Sequence, residues 1–154
     1  MKKSTIIKDL IAMLESGLTE LKYVGKDWGQ LDYEQPPVGW PCVLIDIEEV
    51  AVFRYTDGNE LDTATVVLTV ANKRTNSSSS HAPAGTLAKS MATIDLTDDI
   101  HGKVQGYKAS GADYNALQAV SFFKRRDIPG VECYEMRYRT KYNTNTTQTN
   151  TTQQ

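Results

Sequence analysis

The sequence has few cysteines and histidines, and it has none of the common motifs that enzymes place at their active sites. Among 154 residues there are two cysteines and two histidines, so a metal site built from three or four His or Cys ligands is hard to assemble. No Walker-type glycine loop, dinucleotide glycine fingerprint, paired-histidine zinc helix or Gly-x-Ser-x-Gly elbow occurs. We therefore predict a protein that is not an enzyme and that has no catalytic residues, metal or cofactor.

Long apolar runs are absent as well. Runs such as 42–45 and 66–68 are far shorter than the roughly 20 residues that a membrane span requires. Lys8 and Asp9 interrupt the stretch that would form the apolar region of a signal peptide. We expect no membrane association, and we expect Cys42 and Cys133 to be free and buried, because both lie in apolar strand-like runs.

The size and composition predict one domain followed by a tail. A chain of this length, 40% hydrophobic, has room for a single core. Residues 143–154 are exclusively Asn, Thr and Gln and offer no apolar side chain to bury. We assign residues 1–142 to the domain and expect 143–154 to be disordered.

Hydrophobic periodicity predicts a helix at the start of the chain. Apolar residues recur at steps of three and four through 4–21, which is typical of an amphipathic helix, and Ser4 is a plausible N-cap.

A second helix is predicted over 92–105, after a polar, Ser-rich segment (73–89) that we expect to be a mobile loop. Thr93 or Thr97 is the expected N-cap, and Gly106 is the expected stop. The residues expected to face inward are Ile94, Ile100 and Val104.

Alternating apolar residues predict five strands. Their ranges are 21–28, 42–53, 63–72, 115–126 and 131–142. In the second strand the alternation shifts after Ile47, so we predict a bulge near Glu48 and Glu49. Residues 56–59 have the composition of a hairpin turn. The predicted fold is a single α+β domain in the order α-β-β-β-α-β-β, with a mixed, mainly antiparallel sheet packed against two helices.

Two groups of acidic residues resemble catalytic carboxylates. Asp95, Asp98 and Asp99 lie near His101, as in some hydrolase or Mg²⁺ sites, but acids at the start of a helix also stabilise its dipole. We prefer to interpret the three acids as helix-capping and solvated surface residues. Asp46 and Glu48 could form an acid/base pair, although nothing nearby would raise the pKa of one of them. We interpret that pair as exposed strand polarity or part of an interface.

The charges are divided along the chain. Residues 27–62 carry nine acids and one base, Arg54, and residues 122–142 carry six bases and three acids. The acids of the first segment are Asp27, Asp32, Glu34, Asp46, Glu48, Glu49, Asp57, Glu60 and Asp62. The bases of the second are Lys124, Arg125, Arg126, Arg137, Arg139 and Lys141.

Two functions compete to explain this division, and a third interpretation is that both charged segments are merely solvated faces. A nucleic-acid-binding protein would use the bases for phosphates and Tyr134, Tyr138 and Tyr142 for stacking, yet the tyrosines alternate with Arg137 and Arg139 and so face the other side of the strand. Alternatively, the acidic surface of one copy meets the basic surface of the next, as in a head-to-tail ring. For that subunit interface we predict Asp46, Glu48, Glu49, Arg125, Arg126, Arg137 and Arg139.

Several stretches resemble one known family. The strand P-C-V-L-I-D-I (41–47), the helix I-D-L-T-D-D-I-H-G-K-V-Q-G (94–106) and the final strand Y-E-M-R-Y-R-T-K-Y (134–142), in this order over residues 4–142, resemble the tail-terminator or tail-completion proteins of long-tailed bacteriophages. The resemblance implies a structural virion protein in the tail or neck, assembled in the cytoplasm of the host bacterium. It implies a homo-oligomer, a hexameric ring, as the assembled form.

The resemblance also implies a role in head-tail joining. The ring would cap the tail tube protein, stop tube growth and bind the head-tail connector protein, while DNA passes through its lumen without sequence-specific binding. Another neck ring, such as a head-tail adaptor or stopper, and a small nucleic-acid-binding protein are the alternatives.

Overall fold

The computed structural model describes residues 1–55, 60–74, 80, 81 and 83–144. The elements, in chain order, are α1 (Ser4–Gly17), β1 (Tyr23–Lys26), a 3-10 turn (Gln30–Asp32), β2 (Cys42–Arg54), β3 (Glu60–Lys73), α2 (Ala84–Val104), β4 (Gln118–Arg125) and β5 (Val131–Thr144). The predicted order and the α+β class are confirmed. The predicted turn at 56–59 and most of the predicted tail lie outside the described residues, and Asn143 and Thr144 are the last residues of β5.

The five strands form one mixed sheet in the order β1-β2-β3-β5-β4. β1 is parallel to β2, and all other neighbours are antiparallel. The central strand β3 pairs along its whole length with β5. β1 covers β2 only at 42–45. One edge of the described sheet is therefore formed by β1 and by residues 46–54 of β2, and the other edge is formed by β4.

The predicted bulge in β2 is confirmed. Ile47 is opposite Val66 and Glu49 is opposite Thr65, so Glu48 is the extra residue in the pairing. A single extra residue reverses the alternation of side chains along a strand. Ile47 and Val50, which both pack against the core, therefore lie on the same face of the sheet.

Both helices cover one face of the sheet and enclose the main core. The apolar spacing of α1 places Ile6, Leu10 and Leu14 inward, and all three are fully buried. From α2 the buried apolar residues are Leu96, Ile100 and Val104. The sheet side of this core includes Val43, Ile45, Val66, Leu68, Val70, Met136 and Tyr138.

The predicted start of α1 at Ser4 is confirmed, whereas its predicted N-cap and its predicted end were wrong. Ser4 is the first helical residue, whereas Lys3 occupies the N-cap position and makes no capping hydrogen bond through its side chain. The helix ends at Gly17, and Leu18 leaves the helical conformation while its N–H still donates to the Leu14 carbonyl. Leu18 is nevertheless buried, because its side chain packs into the core although its backbone is not helical. The apolar spacing in the sequence therefore extends past the end of the helix.

The start of α2 was predicted eight residues too late. The helix begins at Ala84, after Pro83 at the N-cap position, so the second part of the predicted 73–89 loop is helical. Residues 75–79 and 82 of that loop lie outside the described residues. Apart from Leu87, residues 84–90 are small or polar, and a single large apolar side chain forms no inward stripe to signal a helix.

Three side chains of α2 consequently have other positions than predicted. Thr93 and Thr97 lie inside the helix and are not caps: the Thr93 hydroxyl accepts a hydrogen bond from Asn72, and the Thr97 hydroxyl donates to the Ile94 carbonyl. Ile94 is exposed rather than inward. The predicted stop is confirmed, since Gly106 follows the C-cap with a φ of 73°, a conformation that favours glycine.

A second, smaller apolar cluster lies on the opposite face of the sheet. Cys42 and Leu44 of β2 lie there with Ala71 of β3 and Cys133 of β5, beneath the 27–41 segment. That segment contributes Leu31, Val38 and Trp40. Its buried Gln30 holds the chain in place by donating to the Lys26 carbonyl and accepting from the Trp28 N–H, both at 2.8 Å. Both cysteines are free and buried, as predicted.

The two buried thiols give a testable dependence of stability on pH. Burial raises the pKa of Cys42 to about 12 and that of Cys133 to about 11, from an ordinary value of 9.0. Between pH 9 and these raised values the unfolded chain releases protons that the folded chain keeps, so the free energy of unfolding should fall as the pH rises. Urea unfolding at a series of pH values should show a smaller fall for Cys42→Ala/Cys133→Ala, and an unchanged fall would contradict the assignment.

Candidate interaction surfaces

The sheet face opposite the helices carries a network of ion pairs across β2, β5 and β4. Arg137 Nη1 lies 2.5 Å from Glu48 Oε2, and its Nη2 lies 3.3 Å from Glu135 Oε2. Arg125 lies 3.7 Å from Glu135 and 2.7 Å from Asp127. The extra residue of the β2 bulge, Glu48, therefore belongs to a charge network that joins three strands within one chain.

Neighbouring groups strengthen this network. The Arg137 guanidinium lies over the Phe123 ring, 5.4 Å from its centroid, which is a favourable cation–π position. A side-chain hydrogen bond from Arg125 lowers the pKa of Asp127, and the same bond raises the pKa of Arg125. Arg137 and Arg125 are thus held in place by contacts within the monomer.

The seven residues predicted for a subunit interface divide into two groups. Glu48, Arg125 and Arg137 are paired within the chain, and Asp46 lies 4.0 Å from Lys26. Glu49, Arg126 and Arg139 are exposed and make no ion pair with any other described residue. The acids lie on β2, while the arginines lie on β4 and β5 or directly after β4, with β3 between the two groups.

A basic groove lies at the end of the sheet where β3 ends and β5 begins, beside the first half of α2. It is a cavity of about 830 Å³. Its charged lining residues are Lys73, Arg74, Lys89, Lys124, Arg125, Arg126 and Glu132. Met91 and Ile94 of α2 add exposed apolar surface to the same groove, 45% and 44% accessible. The groove therefore combines a strong positive charge with an apolar wall.

The opposite end of the sheet carries exposed apolar side chains. We call residues 49–55 and 60–62 of β2 and β3 the hairpin end. In it Val52 is 54%, Phe53 60% and Tyr55 47% exposed. The Phe53 and Tyr55 rings lie 5.1 Å apart in a T-shaped arrangement. Clustered exposed side chains of this kind mark interaction sites more often than singly scattered ones do.

The enzyme-like clusters do not form a catalytic arrangement. Asp95, Asp98 and Asp99 are exposed on α2, and they lie in its middle and second half. The predicted solvated surface is confirmed, whereas the predicted interaction with the positive end of the helix dipole was wrong, since that effect is confined to the first turn. Asp46 and Glu48 pair with different bases, Lys26 and Arg137.

His101 faces the sheet. Its Nδ1 lies 2.9 Å from the Tyr138 hydroxyl, and its ring packs edge-on against Phe122 with centroids 5.0 Å apart. These contacts fix α2 against β4 and β5. His101 thus has a packing role, directed away from the three aspartates on the exposed side of the helix.

The tyrosines of β5 lie on the helix-covered face, opposite Arg137 and Arg139. Tyr138 and Tyr142 are buried, and burial raises the pKa of the Tyr138 hydroxyl. Tyr134 is half-buried beneath the Lys124 ammonium, 5.5 Å from the ring centroid. The predicted separation of tyrosines and arginines onto two faces is confirmed, and Tyr138 and Tyr142 have no surface free for stacking on bases.

The described part of the chain lacks two further features, a cluster of metal-binding side chains and a helix that could span a membrane. No three or more of its His, Cys, Asp and Glu side chains lie close enough together to hold a metal ion. Neither of its helices combines the length and apolar character needed to cross a membrane.

Comparison with known proteins identifies a fold and no sequence family. No family model matches the chain, and no curated protein matches it. One solved structure that does match is a chain of the "virion of native gene transfer agent (GTA) particle", with a TM-score of 0.51 and 14% identity. The match covers 88% of this chain and 84% of that chain. At this identity the likeness is one of fold.

Proposed function

We propose that this protein is a structural subunit of a phage-like virion. The observation that carries the proposal is the fold shared with a gene transfer agent virion chain over most of both chains. A likeness of this extent involves the whole subunit, because little of either chain lies outside it. The exposed apolar and charged surfaces at both ends of the sheet agree with a subunit that works in contact with other subunits.

Within the virion, we propose a ring at the end of the tail tube, a hexamer in the assembled tail. One face of the ring would contact the last tube ring and deny it to the next tube subunit, while the other face would bind the head-tail connector. The mechanism is steric and needs no catalytic group. Another neck ring, an adaptor or stopper, is the alternative within this class.

For the contact between copies we propose the charged residues identified from the sequence, Asp46, Glu48, Glu49, Arg125, Arg126, Arg137 and Arg139. The acids on the β2 side and the bases on the β4–β5 side make the subunit self-complementary. Glu49, Arg126 and Arg139 are the members with free charges among the described residues, so they would make the new ion pairs. Glu48, Arg125 and Arg137, which are paired within the chain, would fix the positions of the side chains around these free charges.

Deletion of the gene for this protein from the genome that encodes the particle tests this function. Without the protein, electron microscopy should show tails of uncontrolled length that are not joined to heads, because nothing stops tube growth. Tails of normal length separated from heads would assign the protein to an adaptor or stopper ring instead. Intact particles would contradict both roles. Native mass spectrometry of the purified chain should show a closed ring with a single copy number.

A nucleic-acid-binding function has one observation in its favour, the basic groove. Retention of short DNA by the isolated monomer, weakened by added salt, would support that function. Against it, the two most buried tyrosines of β5 are inaccessible to bases.

A further inference from the structure

The basic groove and the hairpin end lie at opposite ends of the same strand. β3 begins at the hairpin end with Glu60 and ends in the groove with Lys73. Its 14 residues span about 45 Å at the usual rise of a strand. One copy therefore cannot bring its own two surfaces together, whereas two copies arranged head to tail can.

The two surfaces are opposite in charge. The groove is lined by six bases and one acid. The hairpin end contains three acids, Glu49, Glu60 and Asp62, and one base, Arg54, which lies 3.2 Å from Glu60. Contact between copies would therefore neutralise a cluster on each of them, and complementary potentials of this kind both speed association and fix its orientation.

The apolar parts of the two surfaces also match. Phe53 and Tyr55 project from the hairpin end as a pair of large rings that are 60% and 47% exposed in the described chain. The groove offers Met91 and Ile94 as an uncovered apolar wall inside a cavity of about 830 Å³, a volume that accommodates several side chains. Aromatic residues buried in a pocket dominate the affinity of many interfaces.

We propose that the hairpin end of one copy docks into the basic groove of the next copy. This inference rests on the proposed function, because it identifies the contact that builds the ring. Such a contact is heterologous, because each copy contributes its hairpin end to one neighbour and its groove to the other. The contacts close into a ring when the rotation from one copy to the next is a whole-number fraction of a full turn.

A second copy explains the groove better than a nucleic acid does. Phosphates would use the bases but would leave Met91 and Ile94 uncovered, since a sugar-phosphate backbone offers little apolar surface. The aromatic lining residues, Trp40 and Tyr134, are both partly buried, and Tyr134 is already covered by Lys124. Stacking platforms for bases are therefore lacking among the described lining residues.

Mixing two variants of the full chain tests the proposal. Phe53→Ser removes the hairpin half of the contact without adding a charge, and Lys89→Glu/Arg126→Glu removes the groove half; all three positions are exposed. Each variant alone should associate at least about tenfold more weakly than the unmodified chain. An equimolar mixture should form heterodimers, because one intact hairpin end meets one intact groove. Sedimentation or native mass spectrometry measures all three samples.

Two further variants make the experiment decisive. Val120→Asp changes a side chain that is 44% exposed and lies in neither surface, and it should assemble as the unmodified chain does. Lys73→Glu/Arg74→Glu replaces the first groove variant if thermal unfolding shows that variant to be misfolded.

The outcomes separate this inference from the proposed function. The docking proposal is wrong if the unmodified chain forms rings and the hairpin and groove variants form them equally well. It is also wrong if the mixture of the two variants contains no heterodimer. Neither result contradicts the proposed ring. If the unmodified chain stays monomeric at every concentration and retains a short DNA duplex through the groove, both proposals are wrong.

Discussion

Replacing Leu68 by alanine should lower the free energy of unfolding by about 3 kcal/mol. Leu68 is fully buried at the middle of β3, with Ile45 opposite it on β2 and Met136 opposite it on β5. These neighbours are held by the sheet on both sides and by the helices above, so they cannot collapse into the space that the side chain leaves. Urea unfolding, followed by circular dichroism, measures the change.

Val67→Ala provides the matched control. Val67 is the preceding residue of the same strand, lies on the other face and is only half-buried. Its truncation should cost about 1 kcal/mol, because much of the lost surface already touches water. Equal losses for the two variants would contradict the assignment of the main core to the helix-covered face.

Replacing Arg137 by glutamate should destabilise the monomer by about 2 kcal/mol. The substitution removes the ion pairs with Glu48 and Glu135 and the contact with the Phe123 ring. It also places a third carboxylate beside Glu135 of the same strand and Glu48 of β2. Thermal unfolding of the monomer, compared with that of the unmodified chain, measures the loss.

Arg139→Glu separates this effect from assembly. Arg139 lies two residues further along β5 on the same face, is exposed and has no ion-pair partner among the described residues. Its reversal should leave monomer stability within about 0.5 kcal/mol, as at most surface sites. If Arg139 contributes to the contact between copies, the same variant should reduce ring formation. A loss of stability equal to that of Arg137→Glu would show that the two positions share one network.

The strands could be predicted because their signal is local. A period of two identifies a strand with one buried face, and the shift after Ile47 was sufficient to locate the bulge around Glu48. α2 was harder, because a helix whose first turns are exposed carries no apolar stripe there. Leu18 shows the opposite error of prediction from apolar spacing, because a buried residue at helical spacing need not be in the helix.

The surfaces were less predictable than the fold. The division of charge in the sequence was real, yet part of it is neutralised within the chain, since Glu48 and Arg137 come together only when β2 and β5 flank β3. The basic groove gathers lysines and arginines from the end of β3, from α2 and from the end of β4 and the loop after it. The bases at 124–126 stand out in the sequence, but Lys73, Arg74 and Lys89 come from distant segments, so only the tertiary structure reveals the groove.

The pairing of β3 with two very different partners has a kinetic consequence. β2 joins β3 across a short connection, whereas residues paired between β3 and β5 are 58 to 84 positions apart, with α2 between them. Closing so long a loop has an entropic cost that must be met before the contacts form, and a high contact order slows folding toward milliseconds or longer. The β2–β3 ribbon should thus form first, and β5 should pair with β3 later. During that interval, the unpaired backbone of β3 can capture a strand from another chain.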